Sequence, residues 1–400
     1  MSPSAPNTPS RPSNGRVPRI LFVNDLWGYG TVTMAMAVAE ELRERAICRF
    51  AGRGPGYELA RRDCFDDLLR VDTMADPMLP ALDAAIAASD AVVTVLNGGV
   101  ARKAVERGVP CLFLDCMLWM WAQPPAVPPG VPYLTENFPG TKERLERWSD
   151  QLPNGEIVGP LVVRPSRTRA QSASAALINF GGLSCALLDQ ATLVAYATTM
   201  ARCALMALDG SASRAIVAAG RHILDQMDQE ALRSITPDAE FVDLSHDAYL
   251  AELRRSRVLI SSSGMHALYE AGAIGVPCVC LPAQNLSGSL ALDELERAGV
   301  QRTVGWNHLY GLDRLDSADE PEACLRIGAC IQRFAADDQA QQRLVQDLRD
   351  RLQPECLEVI ERRQAAFFAQ QGDYGAPRIA TRLLELLHQP AETPAAATAI

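Results

Sequence analysis

SSSGMHALYEAGAIGVPCVCLPAQNLSGSLALDELERAG, residues 261–299, says more about fold and function than the rest of the chain. The preceding run Arg257-Val258-Leu259-Ile260 predicts a strand that ends in three serines and a glycine, where a helix begins. Ser263 has the residue type of an N-cap, and Ser261, Ser262 and Gly264 crowd small groups around the first turn. The first amides of a helix lack internal partners and concentrate about half a positive charge, so a phosphate suits that position. Gly275 and Pro277 end the helix, and Val279-Cys280-Leu281 predicts the next strand. The unit is βαβ, with an anion site at the carboxyl end of its first strand, the edge at which open α/β sheets bind ligands. Glu270 stands almost two helical turns beyond Ser263, about 10 Å along the axis, with His266 between them on the same face.

Strand and helix alternate outward from this unit. Ile20-Leu21-Phe22-Val23 predicts a buried strand leading into Gly28-Tyr29-Gly30-Thr31 and an Ala/Met/Glu-rich helix to about Arg45. Ala91–Leu96 and Cys111–Leu114 predict further strands, ending at Asn97-Gly98-Gly99 and at Asp115. Pro-rich loops between Pro124 and Pro139 close this first series, and the stretch from Ile157 to Ala175 reads as a hinge. A second series opens with Leu177-Ile178-Asn179-Phe180 and Gly181-Gly182. It continues through a helix near Leu188–Leu208, strands at Ala215–Ala218 and near Phe241-Val242, and the opening unit. Helices over about 321–353, 355–371 and 378–388 follow. The expected fold is α/β: two doubly wound, Rossmann-like domains facing across a cleft, with C-terminal helices. The expected divisions are a disordered 1–15, a first domain 16–165, a second 166–355, helices 356–388 packing back on the first domain, and a disordered tail 389–400.

Composition limits the function. The formal charge is −10 with no long basic run, which argues against nucleic-acid backbones and anionic membrane surfaces as partners. No run of about 18 apolar residues is apparent, so no membrane-inserted helix is expected. The Ser/Pro/Asn-rich start lacks the apolar core of a secretory signal. The 11 cysteines form no C-x-x-C pair, and the 5 histidines have no metal spacing. They read as reduced core cysteines of a cytoplasmic protein without a bound metal.

Ser263-Gly264, Glu270, Gly275-x-Pro277, Pro282-x-Gln284 and Ala298-Gly299 together resemble the donor-binding region of GT-B glycosyltransferases, the superfamily of the peptidoglycan N-acetylglucosaminyltransferase and UDP-dependent glycosyltransferases. Asn179-Phe180-Gly181-Gly182 resembles the first strand-loop of their donor domain, and Val158-Gly159-Pro160 their interdomain segment. The resemblance spans nearly the whole chain in architecture but is sharp over only about 40 residues. It implies an inverting, metal-independent hexosyltransferase without a cofactor, since the nucleotide sugar, a UDP-sugar first of all, is a substrate. The implied donor site comprises Gly181, Gly182, Arg221, Ser262, Ser263, Gly264, His266, Glu270 and Gln284, with Glu270 accepting the ribose hydroxyls. Ser245-His246-Asp247 is expected to touch the nucleobase from a loop. Ser287-Gly288-Ser289-Leu290 departs from the Asp/Gln-rich pattern of relatives, which leaves the sugar open.

The first domain departs further. Its Gly loop carries Thr31 where many relatives have a histidine, and all five histidines (222, 246, 266, 308, 388) lie in the second half. A base, if one is needed, is therefore a carboxylate or comes from the other domain. Asp25 and Asp115, at the carboxyl ends of predicted strands, are the carboxylate candidates, although Asp also caps such turns. Trp27, Gly28, Gly30 and Asn97 are expected to bind the acceptor, with Glu136 shaping the site and Trp119 and Trp121 extending an aromatic wall. A neutral to acidic, Trp-bearing pocket favours a small flat acceptor such as a nucleobase or an aglycone of antibiotic biosynthesis; a cytosylglucuronate-synthase-like enzyme is one concrete version. Nucleotide-sugar 2-epimerases or hydrolases of the same fold, and a non-catalytic nucleotide-sugar-binding protein, are the alternatives. Oligomeric state is not legible.

Overall fold

The computed structural model describes residues 16–24, 28–60, 64–164, 169–208, 212–313 and 315–388. The expected disordered ends, Asp25 and Trp27 lie outside these residues. Two wholly parallel sheets organise the chain. The first joins β1 (Arg19–Asn24), β2 (Ile47–Gly52), β3 (Asp67–Arg70), β4 (Ala91–Val95), β5 (Cys111–Asp115), β6 (Tyr133–Glu136) and β7 (Gly155–Val158) in the order 3-2-1-4-5-6-7. The second joins β8 (Ala175–Gly181), β9 (Ala215–Ala219), β10 (Glu240–Val242), β11 (Ser256–Ser262) and β12 (Cys278–Leu281) in the order 10-9-8-11-12. These are the two doubly wound domains that the alternation predicts.

Burial on both faces explains why the central strands are legible as unbroken apolar runs. Ile20, Leu21, Phe22 and Val23 of β1 are all 0% exposed, and each contributes about 1.5–3 kcal/mol by burial. The Pro-rich closure and the hinge read from sequence need correction. β6 and β7 extend the first sheet beyond β5, with Phe113 opposite Tyr133 and Glu136 opposite Val158, so Ile157-Val158 belongs to an edge strand. Each strand has only four residues, too few for a period to show among flanking prolines.

The helix Gln190–Leu208 stands where the sequence places one, near Leu188–Leu208. It is 19 residues long and apolar enough by length and composition to cross a membrane, but 67% of its apolar window is buried in the protein. The helices Glu320–Ala335 and Asp338–Arg351 pack against it. These two were expected to be one. Asp337 breaks them, accepting from the Ala340 amide at 2.9 Å to cap the second.

The chain then crosses back between domains. The helix Pro354–Gln370 packs on Met265–Ile274 and β12, whereas the final helix Ala376–His388 packs on Gly30–Leu42 of the first domain. At the crossing the outgoing and returning segments touch backbone to backbone. The Gly375 amide donates to the Pro160 carbonyl at 3.0 Å, and any Cβ on residue 159 would fall 1.9 Å from the Asp373 carbonyl oxygen. Arg378 pairs with Glu156 at 2.6 Å beside it.

Candidate active site

Strand order reverses between β1 and β4 in one sheet and between β8 and β11 in the other, and ligands bind at such switch points. The carboxyl ends of both pairs meet in one cleft of about 340 Å³, within the usual range for a small-molecule site. Gly28, Tyr29 and Gly30 enter it from the first domain. Tyr29 lies over the Gly181-Gly182 backbone of the second.

The second-domain wall is built from the opening stretch. β11 runs through Ser262, and Gly264, not Ser263, is the N-cap of the helix Met265–Ile274, in an extended conformation with no side-chain cap. The Gly264 amide turns back to the Ser262 carbonyl at 2.6 Å, a tight bend at Ser263 that puts the helix start one residue later than expected. Ser263 Oγ is consequently buried beside Gly288, without a hydrogen-bond partner. An uncapped first turn leaves its amides for a ligand, and Ser262, Ser263, Gly264, His266, Glu270 and Gln284 all line the cleft there.

Glu270 is 4% exposed, and its Oε1 lies 2.6 Å from His246 Nε2. His246 stacks on Tyr249, whose phenol is buried near the same carboxylate. The expectation of a loop contact at 245–247 is therefore revised. Ser245 caps the helix His246–Arg255, and the His246 side chain enters the cleft. Its pairing with Glu270 joins residues far apart in sequence and left no local signal.

His266 makes the contact between domains. Its Nε2 lies 3.1 Å from Oε2 of Glu136, at the end of β6, without the alignment of a good hydrogen bond. Glu136 is 0% exposed and its Oε1 accepts from the Leu161 amide at 2.5 Å. Burial disfavours an imidazolium here, but Glu136, helped by Glu270, outweighs it and holds His266 above its ordinary range. Tyr269 donates to the Asn137 carbonyl at 2.5 Å, fastening the same helix to the first domain.

Three predicted site residues do not reach the cleft. Asp115 is 0% exposed, accepting from the Met117 amide at 2.5 Å, Trp121 Nε1 at 3.0 Å and the Tyr133 hydroxyl at 2.7 Å. Burial pushes its carboxyl up while these bonds pull it down, and the net direction is up. It anchors the loop that presents Met117, Trp119 and Trp121 to the cleft. Asn97 caps the helix Gly98–Glu106 through the Val100 amide at 3.0 Å and donates to the Thr73 carbonyl at 2.9 Å. The Arg221 side chain is 75% exposed, with Asp243 at 3.9 Å as its carboxylate neighbour, and lies outside the lining. Among the described lining residues only His246 and His266 can carry positive charge.

No protein-family model matches the chain, and no curated protein matches it in sequence. Among solved structures it is similar to the calicheamicin glycosyltransferase CalG4, at 15% identity and a TM-score of 0.48, covering 94% of this chain and 100% of that one. It is likewise similar to the glycotransferase of kitacinnamycin, at 15% identity and 0.48, covering 93% and 99%. LpCGTa in complex with UDP is similar at 13% and 0.46, covering 89% and 99%.

Proposed function

We propose that this chain transfers a sugar from a nucleoside-diphosphate sugar, with UDP-sugars the first candidates, to a small flat acceptor. One observation carries the reading: an uncapped helix N-terminus stands at the switch point of one sheet, opposite an aromatic and apolar wall from the other. The diphosphate would accept from the free amides near Gly264, where the helix dipole also favours the charge that grows on it as the glycosidic bond breaks. Glu270, two turns further along, would take the ribose hydroxyls. Met117, Trp119 and Trp121 would hold the acceptor face-on. Attack from that side displaces the diphosphate in line and inverts the anomeric carbon, with no metal required.

A uronate donor would find no arginine or lysine among the described lining residues to meet its carboxylate, so neutral UDP-hexoses stand ahead of UDP-glucuronate as donors. The test is incubation with a panel of UDP- and dTDP-sugars, with and without cytosine or a planar phenol. Acceptor-dependent release of nucleoside diphosphate supports transfer. Acceptor-free interconversion of the sugar would replace it with epimerisation, and binding without turnover would replace it with a non-catalytic role.

A further inference from the structure

Among the described residues the first domain offers the acceptor proton no taker, because Asp115 is walled off and no histidine lies there, while Asp25 falls outside them. We propose that His266, a residue of the second domain, is the general base, held in register by Glu136 of the first; this rests on the transfer reading. A carboxylate fixed against Nε2 keeps the proton of a neutral imidazole on that nitrogen and leaves the lone pair on Nδ1. Nδ1 faces the Gly30 turn, where a Cβ would come within 2.8 Å of it, so glycine at 30 makes room for the ring. His266 and Gly30 both line the cleft that Met117, Trp119 and Trp121 also line.

Around the ring the titratable groups are Glu136, then Glu270 and His246; Tyr269 stands near Glu136, and burial keeps its phenol protonated. In the step, the acceptor O–H or N–H proton passes to His266 Nδ1 as the acceptor lone pair bonds to the anomeric carbon. The carbon–oxygen bond to the diphosphate breaks, and its electron pair leaves with the nucleotide. The proton on His266 returns to solvent. His266 touches the reacting group, whereas Glu136 is a positioning residue acting through it.

The experiment follows UDP release from UDP-glucose and UDP-glucuronate with cytosine and umbelliferone, UDP binding by calorimetry, and the ring nitrogens by NMR. His266→Gln should lower acceptor-dependent release by roughly 100-fold or more, a loss well beyond whatever fall in UDP affinity calorimetry shows for a residue that also lines the donor side. Glu136→Gln should lower release less and move the acid limb of kcat to lower pH. NMR should show His266 protonated on Nε2 when neutral, titrating above the ordinary range in the wild type and lower in Glu136→Gln. Equal release by wild type and His266→Gln would leave transfer standing and remove His266 as base. A neutral ring protonated on Nδ1, or a titration unmoved by Glu136→Gln, would also overturn the proposal. No release by the wild type with any pair would count against transfer itself, while the ring titration would still decide whether the two residues act as a pair.

Discussion

On the proposed reading Glu270 would meet the nucleotide with one oxygen already bonded to His246, which would set the oxygen and angle that remain. Replacing Glu270 with alanine would remove the proposed ribose acceptor and strand the buried His246. Glu270→Ala should weaken UDP binding by at least ~1.4 kcal/mol, about tenfold, and calorimetry giving unchanged affinity would remove it from the donor site. The other histidine pair makes a pH prediction. The folded-state value of His266 is raised, so its ion pair with Glu136 stabilises the protein fully below the ordinary value of about 6.5 and fades as pH rises through the raised value. Thermal melts across pH 5 to 9 should show the melting-temperature gap between wild type and His266→Gln narrowing as pH increases; a constant gap would show no linkage. At this scale the sequence was half legible. The face shared by His266 and Glu270 follows from helical spacing, whereas Ser263 falls before the helix, and the partners His246 and Glu136 come from other elements that nothing in local periodicity connects. Asp115 was recognisable as a strand-end acid, yet the three donors that close it off come from a loop and from β6.

Elements explain why two polar residues at strand ends have different work. Asn97 spends its oxygen on a helix cap and its amide on the Thr73 carbonyl, which ties the loop after β3 to the end of β4. Asn97→Ala should therefore cost about 1–2 kcal/mol of stability in denaturant melts, with the acceptor KM unchanged; a raised KM at unchanged stability would restore it to the acceptor site. Asn285 caps Leu286–Arg297 through the Gly288 amide at 2.9 Å, and its neighbours Gln284 and Ser287 line the cleft. Asn285→Ala should cost about 1 kcal/mol and raise the donor KM as well. Buried central strands announced themselves because parallel strands covered on both faces need continuous apolar runs. The short β6 and β7 did not, because each places only four residues in the sheet.

In the whole molecule, the two passages between domains press against each other at Gly159 and Asp373. Only a residue without Cβ fits at 159, since the clash is with backbone and no rotamer relieves it. Gly159→Ala should lower the melting temperature by several degrees, corresponding to about 1–3 kcal/mol, in differential scanning; an unchanged melt would mean that the crossing gives freely. The return of the chain also sets an order of events during synthesis. The helix Gly30–Leu42 is buried along most of its length, and its cover includes Ala376–His388, the last helix of the described chain. A ribosome that has released the first domain has therefore released it with an apolar flank still waiting for residues made more than two hundred positions later. The nascent chain must keep that flank sheltered until the final helix emerges, and the first domain, although made first, is the last to be completed.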